Sequence, residues 1–596
     1  QLAKIDYIDL ENLNISQNDL TEGNYWTISE LDNNGAIDMG NKAVMHELGQ
    51  PFYLDAMYWG SEFPETENKI RQENGFIRYH YGKTLDPDED QFAHYQDRAG
   101  TGKVEKGKMT TWPAVVGAAR SADYQVVQTD FYEYIETIAT KTDLRQQFNS
   151  WYDYQKNITS TNILDSFYAI EKGFTQNGVA PLDSYVVDDG WTNYSSFWEF
   201  NDKFPHQLYD SSAQVHQFGS NFGLWLGPRG GYGTEGQIAS WIENNNLGSR
   251  NWNSGGDINV SDARYLNKLV TDVFLNYQEK FDINYWKLDG MLLNPSTTPS
   301  QYHVTGKDEY VFTETFERWT DMVEMMRDQR GGKDLWINMT SYTNPSPWLL
   351  QWVNSIFMQD TGDMGALKVN EDDTMEQQYL NYRDSDYYEF FNEIGWQLPA
   401  KHFYSHDPIY AKDAWYGGSN FTDDEFREYL YFLGTRGTAF WEYYFSDSII
   451  DEDKWDINAE AAIWIEENFD ILQKSKMFGG KASRGEVYGY SCWNGDEGIV
   501  SLRNPSDQEQ TYTITYDRLI GMEEGTKDLY GKVILGDLNY QTNDTLSYGD
   551  SITYTLKPKE VLIMQYGEKD DEKPEISSIH TDGNTIEVTF DETIRD

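Results

Sequence analysis

Carboxylates dominate the residues of this chain that could carry chemistry, and most of them occur in one setting. Each ends a short run of apolar and aromatic residues: Asp188 and Asp189 in Tyr185-Val-Val-Asp-Asp-Gly-Trp191, Lys287 and Asp289 in Tyr285-Trp-Lys-Leu-Asp-Gly290, Asp360 and Asp363 in Phe357-Met-Gln-Asp-Thr-Gly-Asp363, and Glu442 after Phe440 and Trp441. Asn338, in Trp336-Ile-Asn-Met339, and the group His402, His406 and Asp407 close two further runs, with Trp191 and Trp225 beside the aspartates. Two carboxyl groups facing each other across a pocket are the apparatus of glycoside hydrolysis: one attacks or activates water, and the other, protonated, donates to the leaving oxygen. Their environments must push the two titrations apart. Lys287, two residues before Asp289 on the same strand face, would keep Asp289 ionised. A single Asp at a strand end as readily caps the helix that follows. Repetition of the pattern, each time in an apolar strand with an aromatic neighbour, favours a shared site.

Other chemistries find less support. The chain has no His-Glu-x-x-His, phosphate-loop or Gly-x-Ser-x-Gly motif. His402 and His406 are four residues apart but straddle a strand end, so a metal pair is the weaker reading of them. Gly230-Gly-Tyr-Gly233 reads as a flexible loop that could touch a ligand. Asp86-Pro-Asp-Glu-Asp90 has the acids of a calcium loop without its glycine, and reads as a solvated loop.

Strands and helices must alternate to hold so many strand-end residues together, and from about 148 to 475 they do. Eight candidate strands centre on Trp151, Tyr185, Gly223, Trp286, Trp336, Phe357, Phe403 and Phe440. Helical patterns lie between them, as in Thr161 to Phe174, Asp262 to Phe281, Glu309 to Arg327 and Thr422 to Leu433. This predicts an α/β fold, a (β/α)8 TIM barrel over 146–477, whose active site belongs at the carboxyl ends of its strands. Residues 1–145 read as part of an N-terminal β-sandwich, with Tyr124 to Phe131 as one strand. Residues 478–567 read as a C-terminal antiparallel β-sandwich, and 568–596 as a linker and the start of a truncated β module. Without a basic, apolar leader before it, Gln1 reads as the start of a mature or excised chain.

Composition narrows the partners. Among 596 residues, 99 Asp and Glu against 47 Lys and Arg give a formal net charge of −52, which would repel phosphate backbones and anionic lipid surfaces. Disordered acidic chains are poor in aromatics, whereas this one is 15% aromatic with 20 Trp and 43 Tyr, so it folds. Flat aromatic faces with polar edges also suit sugars. The single cysteine, Cys492, excludes an intrachain disulfide, and no apolar run is long enough to cross a membrane. Large, acidic and nearly free of cysteine, the chain fits a secreted or cell-surface bacterial enzyme.

The ordered motifs resemble glycoside hydrolase family 36. Phe148-Asn-Ser-Trp-Tyr152, Tyr185-Val-Val-Asp-Asp-Gly-Trp191, Gly223-Leu-Trp225 and Trp286-Lys-Leu-Asp289 occur in the family's order, and Met358-Gln-Asp-Thr-Gly-Asp363 is similar to its acid/base segment, 360 − 289 = 71 residues after the presumed nucleophile. The resemblance covers about 50 to 560 and implies a retaining α-galactosidase or α-N-acetylgalactosaminidase fold and activity, acting on an oligosaccharide or glycan without a cofactor. It makes Asp289 the nucleophile and Asp360 the acid/base. Asp188 and Asp189 would hold sugar hydroxyls, Lys287 would bridge toward the nucleophile, Trp191 and Trp225 would wall the sugar pocket, and Arg383 would contact substrate. Asn338 and His406, at strand ends, complete the expected binding set. Two segments depart from the family pattern: Leu226-Gly-Pro-Arg-Gly-Gly231 replaces a Phe-Glu-Pro-Glu run, and Asn338-Met-Thr-Ser-Tyr-Thr-Asn344 replaces a Cys-Ser-Gly-Gly-Gly segment against the sugar's 2-position. The sequence therefore leaves galactose and N-acetylgalactosamine both open, and with them a transglycosylase or an inactive sugar-binding surface protein of the same fold.

Overall fold

The computed structural model describes residues 5–29, 48–83, 104–105, 108–291, 310–331, 334–340, 345–357, 362–415, 417–541, 544–569, 576–582 and 585–590. A parallel sheet forms its centre, in the order Phe403–Tyr404, Ser355–Phe357, Trp336–Thr340, Ile283–Asp289, Asn221–Leu226, Ser184–Val187, Arg145–Asn149, Phe440–Phe445, Ile409–Tyr410. The first and last members are two halves of one strand, interrupted by Ser405 to Pro408. One half pairs with Ser355–Phe357 and the other with Phe440–Phe445, so the sheet closes on itself with eight strand positions. Backbone bonds from Ala439 N to Lys401 O (2.9 Å), Glu442 N to Asp407 O (3.0 Å) and Tyr444 N to Pro408 O (3.0 Å) run along that seam. Strands covered on both faces read as unbroken apolar runs, and Ser184–Val187 and Phe440–Phe445 are buried at every position.

Helices on the outside start where their caps direct. Thr159, Thr374 and Thr422 each form a reciprocal capping box at the head of Ser160–Gln176, Met375–Tyr388 and Asp423–Thr435. The segment expected as a strand at Tyr124 to Phe131 is instead a helix, Tyr124–Ile138. Asp123 caps it through Gln125 N (3.0 Å), and its buried residues, Val126, Val127, Phe131 and Ile135, follow a helical period. The first barrel strand also lies earlier than expected. Arg145–Asn149 forms it, and Trp151 opens the short helix Trp151–Tyr154.

Among the described residues, two larger antiparallel sheets and the short pair Val104–Glu105 with Lys108–Met109 precede the barrel. Ile5–Asn14, Asn74–Lys83 and Glu67–Arg71 form one; Tyr25–Thr27, Phe52–Leu54, Met57–Ser61 and Ala114–Ala118 form the other. After the barrel, six strands pair in the order Lys476–Gly479, Tyr488–Asn494, Glu497–Arg503, Val561–Gly567, Leu529–Leu535, Thr545–Leu546. Gln510–Thr515 pairs with Ser551–Leu556, and the apolar core here, around Trp493, Tyr516 and Leu562, is separate from that of the barrel. Ile576–Asp582 and Thr585–Phe590 make an antiparallel pair, and the acidic stretch 86–90 lies outside the described residues.

The helix Ser160–Gln176 packs so closely on Glu452–Leu472 that a Cβ on Gly173 would stand 2.4 Å from the Trp455 ring. Alanine is the better helix former by about 1 kcal/mol on an exposed face, but overpacking costs roughly 1–3 kcal/mol. Gly173→Ala should therefore lower the urea midpoint; a raised midpoint would show that propensity wins.

Candidate active site

The barrel register brings Trp225 level with Lys287, Lys287 level with Asn338, and Asp289 level with Thr340. Lys287 lies inside the barrel, 2% exposed. Its ammonium donates to Asp188 Oδ2 (2.9 Å) and to the Tyr444 hydroxyl (3.1 Å). Burial works against its charge, but the Asp188, Glu442 and Asp289 carboxylates outweigh burial and raise its pKa above the ordinary lysine range. Asn149 Nδ2 bridges Asp188 Oδ2 and Glu442 Oε1, at 2.8 Å each. Glu442, fully buried, also takes Gln147 Nε2 (2.9 Å) on Oε1, and the hydroxyls of Tyr404 and Tyr444 on Oε2. The sequence marked Glu442 as a strand-end carboxylate without giving it a role; the structure makes it part of the floor beneath the site.

Asp289 ends its strand above that floor and is only partly buried. Its Oδ2 accepts from the Trp225 indole (3.1 Å), and Trp225 in turn carries on its backbone carbonyl the indole N–H of Trp191 (3.1 Å). Trp191 has no exposed surface and packs on Trp198, Phe200 and Tyr277. It stands behind the site and braces Trp225. Asp189, next to Asp188 in sequence, is fully buried. It accepts from the Tyr194 hydroxyl (2.7 Å) and from Tyr232 N (3.1 Å), so it holds the glycine-rich loop after the third strand. Burial pushes its carboxyl up to about 6.

The loop after the sixth strand carries the other expected carboxyl. Asp360 lies outside the described residues. Asp363, in the same loop, is described. Burial first, and then the charge of Asp289, push its carboxyl up to about 6, against the pull of Lys287 and Arg383. Arg383, fully buried on the helix Met375–Tyr388, donates Nη2 to the carbonyls of Gly362 (3.2 Å) and Asp363 (2.7 Å). It therefore clamps the backbone of this loop. Asn338 gives Nδ2 to the Tyr285 hydroxyl (3.3 Å) and accepts from Ser355 Oγ (2.9 Å), which commits its amide inside the barrel.

His406 sits in the break of the seventh strand, with ring centroids 4.8 Å from Phe357 and 4.9 Å from Tyr404. Burial, then the Lys287 and Arg383 charges, hold its pKa well below the ordinary histidine value, so it is neutral at pH 7. His402 belongs elsewhere. Its Nδ1–H donates to Asn354 O (2.8 Å) and its Nε2 lies 2.7 Å from Glu136 Oε1. Among the described residues no group of His, Cys, Asp and Glu is arranged to hold a metal ion, and no helix is long and apolar enough to cross a membrane.

The arrangement offers an ionisable carboxylate at a strand end, a buried cation below it, and a second carboxyl held toward its protonated form nearby. Replacing Lys287 by Met would leave Asp188 and Glu442 buried without their cation. Removing one partner of such a pair costs about 3–5 kcal/mol, so Lys287→Met should lose that much in chemical denaturation. A loss below about 1 kcal/mol, the scale of an exposed pair, would contradict this reading of the floor.

No protein-family model matches the chain, and neither does any curated protein sequence. Solved structures do. The family 36 α-galactosidase AgaA from Geobacillus stearothermophilus superposes with a TM-score of 0.59 at 11% identity, over 87% of this chain and 68% of that one. The galactosidase domain of the α-galactosidase–sucrose kinase AgaSK gives 0.56 at 14% identity, over 88% and 67%. The α-galactosidase from Lactobacillus brevis gives 0.55 at 11% identity, also over 88% and 67%. At such low identity the likeness is one of fold: the chain has the fold of the glycoside hydrolase family 36 α-galactosidases.

Proposed function

We propose that this chain is a family 36 glycoside hydrolase, a retaining exo-acting α-glycosidase that removes terminal α-linked galactose or N-acetylgalactosamine from oligosaccharides or glycans. The observation that carries the reading is Asp289, half-buried at its strand end, hydrogen-bonded by the Trp225 indole and set over the buried Lys287 ammonium. That setting aims the carboxylate from its strand end, as a nucleophile requires. Asp289 attacks the anomeric carbon from the face opposite the leaving group and forms a β-linked glycosyl-enzyme. The leaving oxygen takes a proton from the acid of the loop after the sixth strand, which the motif assigns to Asp360. The same residue then takes a proton from water as the water opens the glycosyl-enzyme.

Other groups position this chemistry. Arg383 holds the acid loop through its carbonyls, and Asp188, fixed by Lys287 and Asn149, presents an oriented carboxylate to sugar hydroxyls. The two-carboxylate mechanism needs no metal or organic cofactor. For the substrate class, AgaA variants are known in complex with raffinose and with stachyose, which supports an α-galactoside as the first sugar to test. The acidic, cysteine-poor composition supports a secreted or cell-surface location.

The test is a panel of aryl α-glycosides of galactose, N-acetylgalactosamine and glucose. Turnover of the first or second is expected; activity confined to the glucoside would overturn the sugar assignment. Asp289→Ala should reduce kcat by at least roughly 1,000-fold while the melting temperature stays within a few degrees. Added azide should restore turnover and yield the β-glycosyl azide. Persistent turnover by this variant without azide would remove Asp289 from the nucleophile role.

A further inference from the structure

Helix Met375–Tyr388 turns an unusual face inward. Glu376, Asn381, Arg383, Asp384 and Ser385 are all buried on it, between the barrel and the six-stranded C-terminal sheet. Asp384 is the centre of this face. Tyr488 and Tyr490, alternate residues on one sheet strand and so on one face of it, donate to its Oδ2 and Oδ1 at 2.7 Å each. Arg503, paired with Tyr488 in the sheet register, donates Nη1 to Asn381 Oδ1 (2.7 Å) and to the Tyr488 hydroxyl (3.0 Å), and Nη2 to Gln377 O (3.3 Å).

From Asp384 two connections lead into the site. Arg383, the adjacent residue, clamps the carbonyls of Gly362 and Asp363. Arg436, also buried, donates Nε to Asp384 Oδ1 (2.9 Å) and Nη1 to Asp407 Oδ2 (2.8 Å). Asp407 accepts from Ser405 Oγ (2.6 Å) and from the Tyr379 hydroxyl, and follows His406 in the break of the seventh strand. Apolar contacts also join the sheet to the barrel, through Cys492, Ile499 and Ile563, but they do not fix direction. Directional bonds to fully buried charges fix orientation, and breaking one leaves its partner uncompensated.

We infer that the C-terminal sheet is a positioning element of the active site: through Tyr488, Tyr490 and Arg503 it sets the helix Met375–Tyr388, and through Asp384 with Arg383 and Arg436 it sets the acid loop and the His406 segment. The inference rests on the proposed glycosidase reading for its kinetic consequence, but not for its structural one. Tyr488, Tyr490, Arg503, Asp384 and Arg436 act through other residues and touch no reacting atom.

The test compares the double variant Tyr488→Phe/Tyr490→Phe with a control, Tyr554→Phe. The control removes a hydroxyl from the separate cluster Tyr516, Tyr554 and Tyr566 inside the same C-terminal sheets. Both variants lose sheet hydroxyl bonds, so both should melt below the parent. In the double variant alone, amide exchange should quicken over 362–368 and 403–410 while strand 283–289 stays protected, and this readout needs no turnover. On whichever aryl α-glycoside the parent cleaves, kcat should fall about tenfold, the scale of a small misplacement of reacting groups, with KM within twofold, and each single Phe variant should be intermediate. Unchanged exchange in those two segments would overturn the inference whatever the substrate proves to be. So would a kcat loss equal to that of the control.

Discussion

An ammonium group inside a barrel is tolerable only when carboxylates surround it and polar groups bond to it. Lys287 meets that condition by direct bonds to Asp188 and Tyr444, with Glu442 and Asp289 close enough to stabilise its charge. Much of the centre of the molecule follows from satisfying this one group. Asn149 joins Asp188 to Glu442, Gln147 secures the far oxygen of that bridge, and Tyr404 ties the broken seventh strand to the eighth. The floor is therefore rigid and charged before any ligand arrives, which is what electrostatic preorganisation requires.

Rigidity below is matched by constraint around the rim. Asp189 spends its carboxylate on the loop after the third strand, and Arg383 spends its guanidinium on the loop after the sixth. Trp191 braces the backbone at Trp225, whose indole holds Asp289. Several residues expected to face a sugar thus spend polar groups on partners within the protein. They fix the segments that would touch the substrate, so their substitution should disturb geometry more than contact.

Much of this was legible in the sequence wherever an apolar run ended in a polar residue. Asp188, Lys287 and Asp289 were singled out that way, because strands covered on both faces leave a simple hydrophobic signature; Glu442, expected at the end of the eighth strand, lies inside Phe440–Phe445. The first strand was displaced by a few residues for the opposite reason. Four of the five residues in Arg145–Asn149 are polar yet buried, and Arg145 is accommodated by Gln147 and Asn284, partners supplied by the fold. Tyr124 to Phe131 read as a strand because Val, Thr and aromatics favour strands locally, whereas the Asp123 cap and the 3.6-residue burial pattern make it helical. The helix Met375–Tyr388 gave no clear apolar period, since it buries Glu376, Asn381, Arg383, Asp384 and Ser385 beside Tyr379, Leu380 and Tyr387, and the break at Ser405 to Pro408 that admits His406 is marked in the sequence by little more than Pro408. The pairing of Asp384 with Tyr488 and Tyr490 joins residues about a hundred positions apart, beyond the reach of any local pattern.

The net charge of −52 takes on a more specific meaning against this geometry. Among the described residues some of the chain's carboxylates are buried, and inside the barrel Asp188 and Glu442 are bonded to named partners. The proposal at the centre of this account is that Asp289, held by the Trp225 indole, acts by covalent attack. Proton NMR of the first seconds of hydrolysis of an α-glycoside tests that claim most directly. Double displacement requires the α anomer of the released sugar to appear first and then mutarotate; β anomer appearing first would mean a single displacement by water and would contradict the account.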